Sequence, residues 1–289
     1  MNLVIGASGQ VGDHLVRVLE EQGQKVVGTF NGHPVSGYEL LDIRRRDAVQ
    51  HLMTSVHPSI VYIPASLTNV DTCEQYPDEG YAVNVGGLCN VVEVGNAIGA
   101  RLVYFSSDYI FDGKSGPYAE DDPANPICEY GRQKLMAEHY LALHAANCLI
   151  VRTTIVYGWE RLGKNFVSRL VNTLQLGQTL KVPVDQIGNP TYASNLAQVV
   201  VEMVNSGADG VFHVVGPERA SRYEFALEAA HVFGLDEKLI LPVTTPELGQ
   251  LASRPLNAGM TSVRIAAVAD TPMIGYREGL QKMLTESLA

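Results

Sequence analysis

The stretch GASGQVG at residues 6–12 decides the fold, because it lies between the first apolar run of the chain and a stretch of helical periodicity over residues 11–22. Glycines at this spacing suit a phosphate ligand: Gly6 permits a tight turn, Gly9 lets the backbone approach a pyrophosphate, and Gly12 lets the helix pack on the sheet. The first N–H groups of the helix then face the anion. This stretch predicts a dinucleotide-binding strand, turn and helix.

Short apolar runs alternate with helical periodicity through the first half of the chain. The runs are typical of strands that are buried on both faces, and the longer periodic stretches are typical of helices. The runs lie at residues 3–5, 26–27, 60–63, 102–105 and 149–151, and the helical stretches at 11–22, 45–56, 80–98 and 130–145. The alternation predicts an α/β domain over residues 1–152, built on a doubly wound parallel Rossmann sheet.

Beyond residue 152 the alternation loosens. Helical periodicity covers 166–176, 192–205 and 221–233, a strand is indicated at 211–215, and prolines interrupt the chain at 242, 246, 255 and 272. We expect residues 153–289 to form mainly a smaller C-terminal α/β lobe that binds the substrate, with some segments returning to the first domain. The ligand crevice should lie between the two.

Composition excludes several classes of partner. The 289 residues contain 31 acidic and 21 basic side chains, and the net charge of -10 repels nucleic acid and anionic lipid. Neither a secretory signal nor a run of 18 apolar residues is evident. The spacing of Cys73, Cys89, Cys128 and Cys148 fits neither a zinc site nor a redox pair. We therefore expect a cytoplasmic protein that acts on a small metabolite, with a homodimer left open.

One phenol and one ammonium lie a single helical turn apart in the sequence. Tyr130 and Lys134, at i and i+4, should lie on one face of a helix about 6 Å apart. A free tyrosine titrates near pH 10, so a nearby cation would favour its phenolate, and the same ammonium could bind a ribose. Ser107 ends a buried apolar run, and parallel strands direct their carboxyl ends to the ligand crevice. The sequence thus predicts proton transfer at this point.

The end of the second strand leaves the choice of cofactor open. NAD-binding folds often place a carboxylate there, whereas this chain has Thr29. Without the acid nothing repels a 2′-phosphate, so the prediction leans to NADP(H) over NAD(H). Arg44-Arg45-Arg46 is the basic cluster nearby, and its more ordinary interpretation is the solvated start of a helix.

These motifs resemble a known family. Gly6-x-x-Gly9-x-x-Gly12, Ser107 and Tyr130-x-x-x-Lys134 resemble the extended short-chain dehydrogenase/reductase pattern. Finer matches resemble the dTDP-4-dehydrorhamnose reductase family; they are LTNVDTCE at 67–74, SSDYIFDG at 106–113, DQIGNPTYA at 185–193 and SRPLNAGM at 253–260. That family also includes the regulatory β subunit of methionine adenosyltransferase, which leaves a cofactor-binding regulatory protein as the alternative to an enzyme.

The resemblance implies NAD(P)H-dependent reduction of the 4-keto group of a nucleotide-linked 6-deoxysugar. Tyr130 would donate the proton, Lys134 would hold the ribose and lower the phenol pKa, and Ser107 would polarise the carbonyl. The implied cofactor residues are Gly6, Ser8, Gly9, Gln10, Val11, Gly12, Asp42, Ile43, Ala65, Ser66, Tyr130 and Lys134. The implied substrate residues are Thr68, Ser107, Asp108 and Ile155.

Two positions depart from the family pattern. Ile155 stands where family reductases often carry a tryptophan against the sugar, so the substrate could differ, and Trp159 either compensates or packs. His14 stands where some members have a glutamate linked to a metal-bridged dimer, so we expect no such metal. The chain has neither a Gly-x-Ser-x-Gly elbow nor an HExxH pair, which argues against a serine hydrolase and against metal catalysis.

Overall fold

The computed structural model describes residues 1–288. The strands are β1 (Asn2–Val4), β2 (Val26–Phe30), β3 (Glu39–Leu40), β4 (Ile60–Ile63), β5 (Arg101–Ser107), β6 (Cys148–Thr153), β7 (Val156–Tyr157), β8 (Leu180–Pro183), β9 (Ile187–Gly188), β10 (Thr191–Tyr192), β11 (Gly210–His213), β12 (Ala220–Ser221) and β13 (Ile240–Val243). The helices are α1 (Gln10–Glu21), α2 (Arg46–Val56), α3 (Val70–Gln75), α4 (Pro77–Tyr81), α5 (Leu88–Ile98), α6 (Glu129–His144), α7 (Phe166–Gln175), α8 (Ala193–Asn205), α9 (Arg222–Val232), α10 (Thr245–Leu248) and α11 (Tyr276–Leu288).

Seven parallel strands form the central sheet, in the order β11-β6-β5-β4-β1-β2-β3. Because side chains alternate along each strand, Leu3 and Val4 enter the cores on opposite faces. One core includes residues of α1 and α8, and the other includes residues of α2, α5 and α6. The doubly wound parallel Rossmann sheet predicted from the sequence is confirmed.

The C-terminal half divides between the sheet and a separate core. The strand indicated at 211–215 is β11, which pairs with β6 at the edge of the central sheet. A third apolar core contains buried residues of α7, α9 and α11. Ser221 caps α9 through a reciprocal capping box with Glu224, so the helix expected at 221–233 is confirmed.

The helix expected over 80–98 is interrupted. Instead, α4 continues through a π-helical segment, Ala82–Gly87, into α5. No helix among residues 1–288 is long and apolar enough to cross a membrane.

Candidate active site

A cavity of about 1120 Å³ opens at the carboxyl ends of the parallel strands. The structure brings every residue that the sequence indicated for cofactor or substrate to the wall of this one cavity. They are Gly6, Ser8, Gly9, Gln10, Val11, Gly12, Asp42, Ile43, Ala65, Ser66, Thr68, Ser107, Asp108, Tyr130, Lys134 and Ile155. One cavity therefore joins the glycine turn to the tyrosine and lysine.

The glycine turn needs glycine at two positions for different reasons. Gly6 has a φ of +92°, and a Cβ there would lie 2.9 Å from the Ala65 Cα. A Cβ at Gly12 would lie 2.3 Å from the Gly6 carbonyl oxygen, so only glycine allows α1 to start this close to the turn. Gly9 precedes α1 without a side-chain cap, which leaves the first N–H groups of the helix directed at the cavity.

Thr29 has a structural role that the sequence did not indicate. Its side-chain oxygen accepts a 3.1 Å hydrogen bond from the Gly6 N–H, and the residue is almost fully buried. The hydroxyl therefore stabilises the turn at Gly6. A carboxylate at this position would instead accept hydrogen bonds from the adenosine ribose of NAD.

Ser107, Tyr130 and Lys134 lie together because β5 and the start of α6 meet. The Lys134 Nζ donates a 2.9 Å hydrogen bond to the Phe105 carbonyl and lies 5.8 Å from the centre of the Tyr130 ring. The Ser107 hydroxyl donates a 2.9 Å hydrogen bond to Asp108 Oδ1. All four polar side chains are buried. A substrate carbonyl bound here would contact the Tyr130 phenol and the Ser107 hydroxyl.

Burial is the main cause of the pKa shifts of Tyr130 and Lys134. It raises the pKa of the Tyr130 phenol, with the Asp108 carboxyl adding to the shift and the Ser107 hydroxyl opposing it. Burial also lowers the pKa of Lys134 to about 7. The Lys134 side chain is turned towards a backbone carbonyl, and burial is the largest cause of the shift at the phenol. The phenol is protonated at neutral pH, as a proton donor must be.

Two sets of buried polar contacts that the sequence did not indicate connect the segments around the site. Asn84 accepts from the Ser66 hydroxyl at 2.8 Å and donates to Gln133 Oε1 at 2.9 Å. A buried ion pair between Arg152 and Glu138, at 2.7 Å, ties α6 to β6. Asn84 and Gln133 sit inside helical stretches with no local pattern to mark them, so only the fold reveals their role.

The basic cluster at residues 44–46 is paired with acids. Arg44 binds Asp42 at 2.6 Å, Arg45 binds Asp47 at 2.8 Å, and Arg46 binds Glu93 at 3.0 Å. Arg44 also holds the pKa of Asp42 below its ordinary value. Since each arginine has an acidic partner, the interpretation as a solvated helix start is the better one.

A different cation reaches the cofactor end of the cavity. Lys164, from the segment before α7, lies with its Nζ 3.3 Å from the Nε2 of His33, which follows β2. Lys164 lines the cavity together with Asn31 and Gly32. This pair is separated by 131 positions in the chain, so no sequence motif could have shown it.

On the substrate side, Ile155 has an unusual backbone conformation and Trp159 packs outside the cavity. Ile155 lines the cavity with a φ of +44°, a rare conformation for a β-branched residue. Its Cδ1 lies 2.8 Å from where a Cβ on Gly188 would be. Trp159 packs against Phe233 and donates to the Met283 carbonyl, and it does not line the cavity. Of the two roles considered for Trp159, packing is the one seen.

The cavity is basic although the protein is acidic. Six cationic side chains line it, namely Lys134, Lys164, Arg169, Lys181, Arg222 and Arg254. Three carboxylates do so, namely Asp42, Asp108 and Glu160. Burial raises the pKa of Asp108 and lowers that of Lys134. Anionic ligands are therefore favoured in this cavity.

No group of three or more histidine, cysteine or acidic side chains among the described residues could hold a metal ion. The ring of His14 is occupied by a 3.1 Å contact between Nε2 and the Trp159 carbonyl.

Comparisons with known proteins show the family of this chain. The family model described as RmlD substrate binding domain matches residues 1–289. The spore coat polysaccharide biosynthesis protein SpsK of Bacillus subtilis (strain 168) is 35% identical over 285 residues, which cover 98% of this chain and 96% of that protein. The dTDP-4-dehydrorhamnose reductase of Aggregatibacter actinomycetemcomitans is 31% identical, with 91% of each chain covered.

Solved structures show the same similarity. The dTDP-4-dehydrorhamnose reductase of Bacillus anthracis str. Ames, crystallised in complex with NADP, superposes with a TM-score of 0.91 at 30% identity over 99% of this chain and 98% of that one. A third relative found by sequence, methionine adenosyltransferase 2 subunit beta of Bos taurus, is 28% identical over 98% of this chain and 86% of its own length.

Fold and site together define an NAD(P)-dependent oxidoreductase of the extended short-chain dehydrogenase/reductase type. Within that class, the chain belongs to the RmlD substrate binding domain family, which includes the dTDP-4-dehydrorhamnose reductases.

Proposed function

We propose that this protein catalyses the NAD(P)H-dependent reduction of the 4-keto group of a nucleotide-linked 6-deoxysugar. The observation that carries the proposal is the single cavity that joins the glycine turn to Ser107, Tyr130 and Lys134 and then continues into a basic region of the C-terminal half. This arrangement suits a dinucleotide at one end and an anionic carbonyl compound at the other.

The residues present fit a nicotinamide dinucleotide. The turn at Gly6 and Gly12 is too close-packed for any Cβ, and the N–H groups at the start of α1 are free to meet a pyrophosphate. Asp42 and Ile43 would lie at the adenine end, and Ala65 and Ser66 on the nicotinamide side. When bound in its reduced form, the cofactor supplies a hydride to the carbonyl carbon.

The chain's own residues would complete the reduction. Tyr130 transfers its phenolic proton to the carbonyl oxygen as the carbon gains the hydride, so the ketone becomes an alcohol and the charges balance. The Ser107 hydroxyl, which donates to Asp108 Oδ1 in this structure, would turn to donate a hydrogen bond to the same oxygen and stabilise the negative charge that develops there. Lys134 would hold the nicotinamide ribose. Thr68, Asp108 and Ile155 would line the sugar pocket.

We further propose NADP(H) as the preferred cofactor. The end of β2 carries no carboxylate in contact with the cavity, and Lys164 and His33 place two basic groups beside it. A 2′-phosphate would gain charge-assisted hydrogen bonds there. Residues 1–152 would then act mainly as the dinucleotide-binding domain and residues 153–289 mainly as the substrate lobe, in a cytoplasmic enzyme.

A panel of nucleotide-linked 4-keto-6-deoxysugars, each tested for NADPH and NADH oxidation, tests the proposal. Turnover with at least one sugar, together with a product alcohol at carbon 4, is expected. Failure of every sugar in the panel, with the cofactor demonstrably bound, would refute the proposal.

The relationship to methionine adenosyltransferase 2 subunit beta favours a second candidate, a cofactor-bound regulatory subunit. Against it stands the full set of Ser107, Tyr130 and Lys134, since a binding module has no chemical need of a phenol beside an ammonium. Stoichiometric capture of a methionine adenosyltransferase from source lysate, combined with no reduction of any keto sugar, would favour the regulatory function.

A further inference from the structure

The helix that carries Tyr130 begins without a cap of its own. The first residue of α6 is Glu129, and the side chain of the preceding residue, Cys128, makes no capping hydrogen bond. Other helices of the chain show the usual arrangement, since Asn165 caps α7 and Ser221 caps α9 through their side chains. When a helix supplies no cap, its first N–H groups need an acceptor from elsewhere. Tyr130 is the second residue of α6, so its position depends on how this turn is held.

Glu74, on α3, supplies an acceptor for this turn. Its Oε2 accepts a 2.8 Å hydrogen bond from the backbone N–H of Glu129, across 55 positions of the sequence. The guanidinium of Arg132, also on α6, lies 3.9 Å from the other carboxylate oxygen. A carboxylate suits this place, because the N-terminus of a helix carries partial positive charge. The Glu74 side chain is 30% exposed, so its replacement does not open a cavity in a packed core.

The helix that carries Glu74 is itself packed against the site. Cys73, the residue before Glu74, is fully buried in one apolar cluster with Cys128 and Tyr130. The side chain of Asn69 caps α3. Glu74 therefore projects from a well-anchored helix that packs beside the tyrosine.

Tyr130 lies between two anchors of α6. On the C-terminal side, Lys134 donates to the Phe105 carbonyl of β5. On the N-terminal side, Glu74 accepts from the N–H of Glu129, one residue before the tyrosine. Loss of the Glu74 carboxylate would leave the turn that carries the phenol without this N-terminal anchor.

We infer that Glu74 is a positioning residue, which holds the first turn of α6 and so keeps the Tyr130 phenol directed at the substrate carbonyl. This inference rests on the proposed function, in which Tyr130 donates the proton. Glu74 does not line the cavity, so it acts through Tyr130 and not on a ligand. Displacement of a reacting group by about 1 Å can lower a rate by about 10²-fold.

Amide hydrogen exchange, measured with the protein saturated with NADP⁺, tests the anchor without any turnover. Glu74→Ala should speed exchange over residues 129–133 by about 3- to 30-fold, the effect expected for a lost helix cap. Glu74→Gln keeps an oxygen acceptor and should exchange nearly as the wild type does. The matched control is Glu79→Ala, which removes an exposed carboxylate from the neighbouring α4 and should leave this exchange unchanged. Equal exchange in Glu74→Ala and wild type would overturn the inference.

A double-mutant cycle tests the link to the tyrosine. Glu74→Ala is expected to lower kcat for the keto sugar by about 3- to 30-fold with the KM for NADPH within about 2-fold of wild type, and Glu74→Gln should recover most of the loss. In the Tyr130→Phe background, Glu74→Ala should lower kcat by less than about 2-fold, because the group that it positions is gone. An equal loss in both backgrounds would show a merely structural role and overturn the inference.

Retained NADP⁺ binding shows that a variant is folded. If Glu74→Ala does not fold, Glu74→Asp, whose side chain is one methylene shorter, replaces it with the same expected outcomes. Exchange that depends on Glu74, in a protein that reduces no keto sugar, would refute the proposed function and leave the anchoring of Tyr130 by Glu74 in place.

Discussion

The Lys134 ammonium donates a 2.9 Å hydrogen bond to the backbone carbonyl of Phe105, two residues before Ser107 on the same strand. This bond fastens the first turns of α6 to the end of β5. Because Tyr130 lies one turn earlier on α6, the phenol and the Ser107 hydroxyl are delivered to one part of the cavity. The lysine thus orders the site through its contact with the backbone.

Removal of the phenolic proton should abolish most turnover. Tyr130→Phe is expected to lower kcat for the keto sugar by about 10²- to 10⁴-fold, because a positioned proton donor contributes this much to a reaction of this kind. The affinity for NADPH, measured by fluorescence titration, should stay the same. Tyr140→Phe, on the same helix but outside the cavity, is the control and should keep wild-type turnover. Unchanged kcat in Tyr130→Phe would remove the tyrosine from the mechanism.

Lys134 should make stability depend on pH. Its pKa is lowered from 10.5 to about 7 by burial, so between these values the unfolded chain holds a proton that the folded chain has lost. The free energy of unfolding therefore gains a contribution that rises with pH in this window, and below pH 7 the full cost of burying the ammonium is present.

Lys134→Met should remove that contribution. Urea unfolding at pH 7 and pH 9 is expected to show a variant whose stability relative to wild type is greater at the lower pH. Lys25→Met, at an exposed position, should follow wild type at both values. A difference between Lys134→Met and wild type that does not change with pH would contradict the lowered pKa.

The sequence was informative wherever a function depends on residues close together in the chain. The turn at residues 6–12, the strand ending at Ser107 and the pair Tyr130 and Lys134 each carry their geometry in local spacing. The carboxyl ends of parallel strands lie at one edge of the sheet, so the fold itself brings these residues together. For this reason the fold class and the wall of the cavity could be predicted.

The rest depends on contacts between distant segments. The short strands β7 to β10, β12 and β13 are two to four residues long, too short for a periodic signal, and their pairing is set by the tertiary fold. Lys164 and Arg222 reach the cavity from the second half without any motif. The spacing of Tyr130 and Lys134 predicted their proximity, but only the packed structure shows the burial that raises the phenol pKa.

Lys164 should govern the preference for NADPH over NADH. Lys164→Gln removes a cation beside the end of β2, so the KM for NADPH is expected to rise by about 10-fold while that for NADH stays nearly constant. Lys181→Gln, which removes a cation on the substrate side of the same cavity, is the control and should leave the ratio of the two KM values unchanged. Equal effects of Lys164→Gln on both cofactors would argue against a 2′-phosphate site there.

The contact between Ile155 and Gly188 should control the shape of the substrate pocket. A methyl group added by Gly188→Ala would lie 2.8 Å from the Ile155 Cδ1, so the isoleucine side chain must move. Its room to do so is small, because it is β-branched and its backbone already has a φ of +44°. The side chain should therefore be displaced into the cavity, and the KM for the sugar is expected to rise by about 2- to 10-fold, the cost of a strained rotamer, without a change in NADPH affinity. Adding Ile155→Val removes the clashing Cδ1, while the next isoleucine atom lies at an acceptable 3.5 Å, so the double variant should recover most of the lost affinity. A double variant as impaired as Gly188→Ala, measured as KM for the same sugar, would show that the pocket responds to something other than this contact.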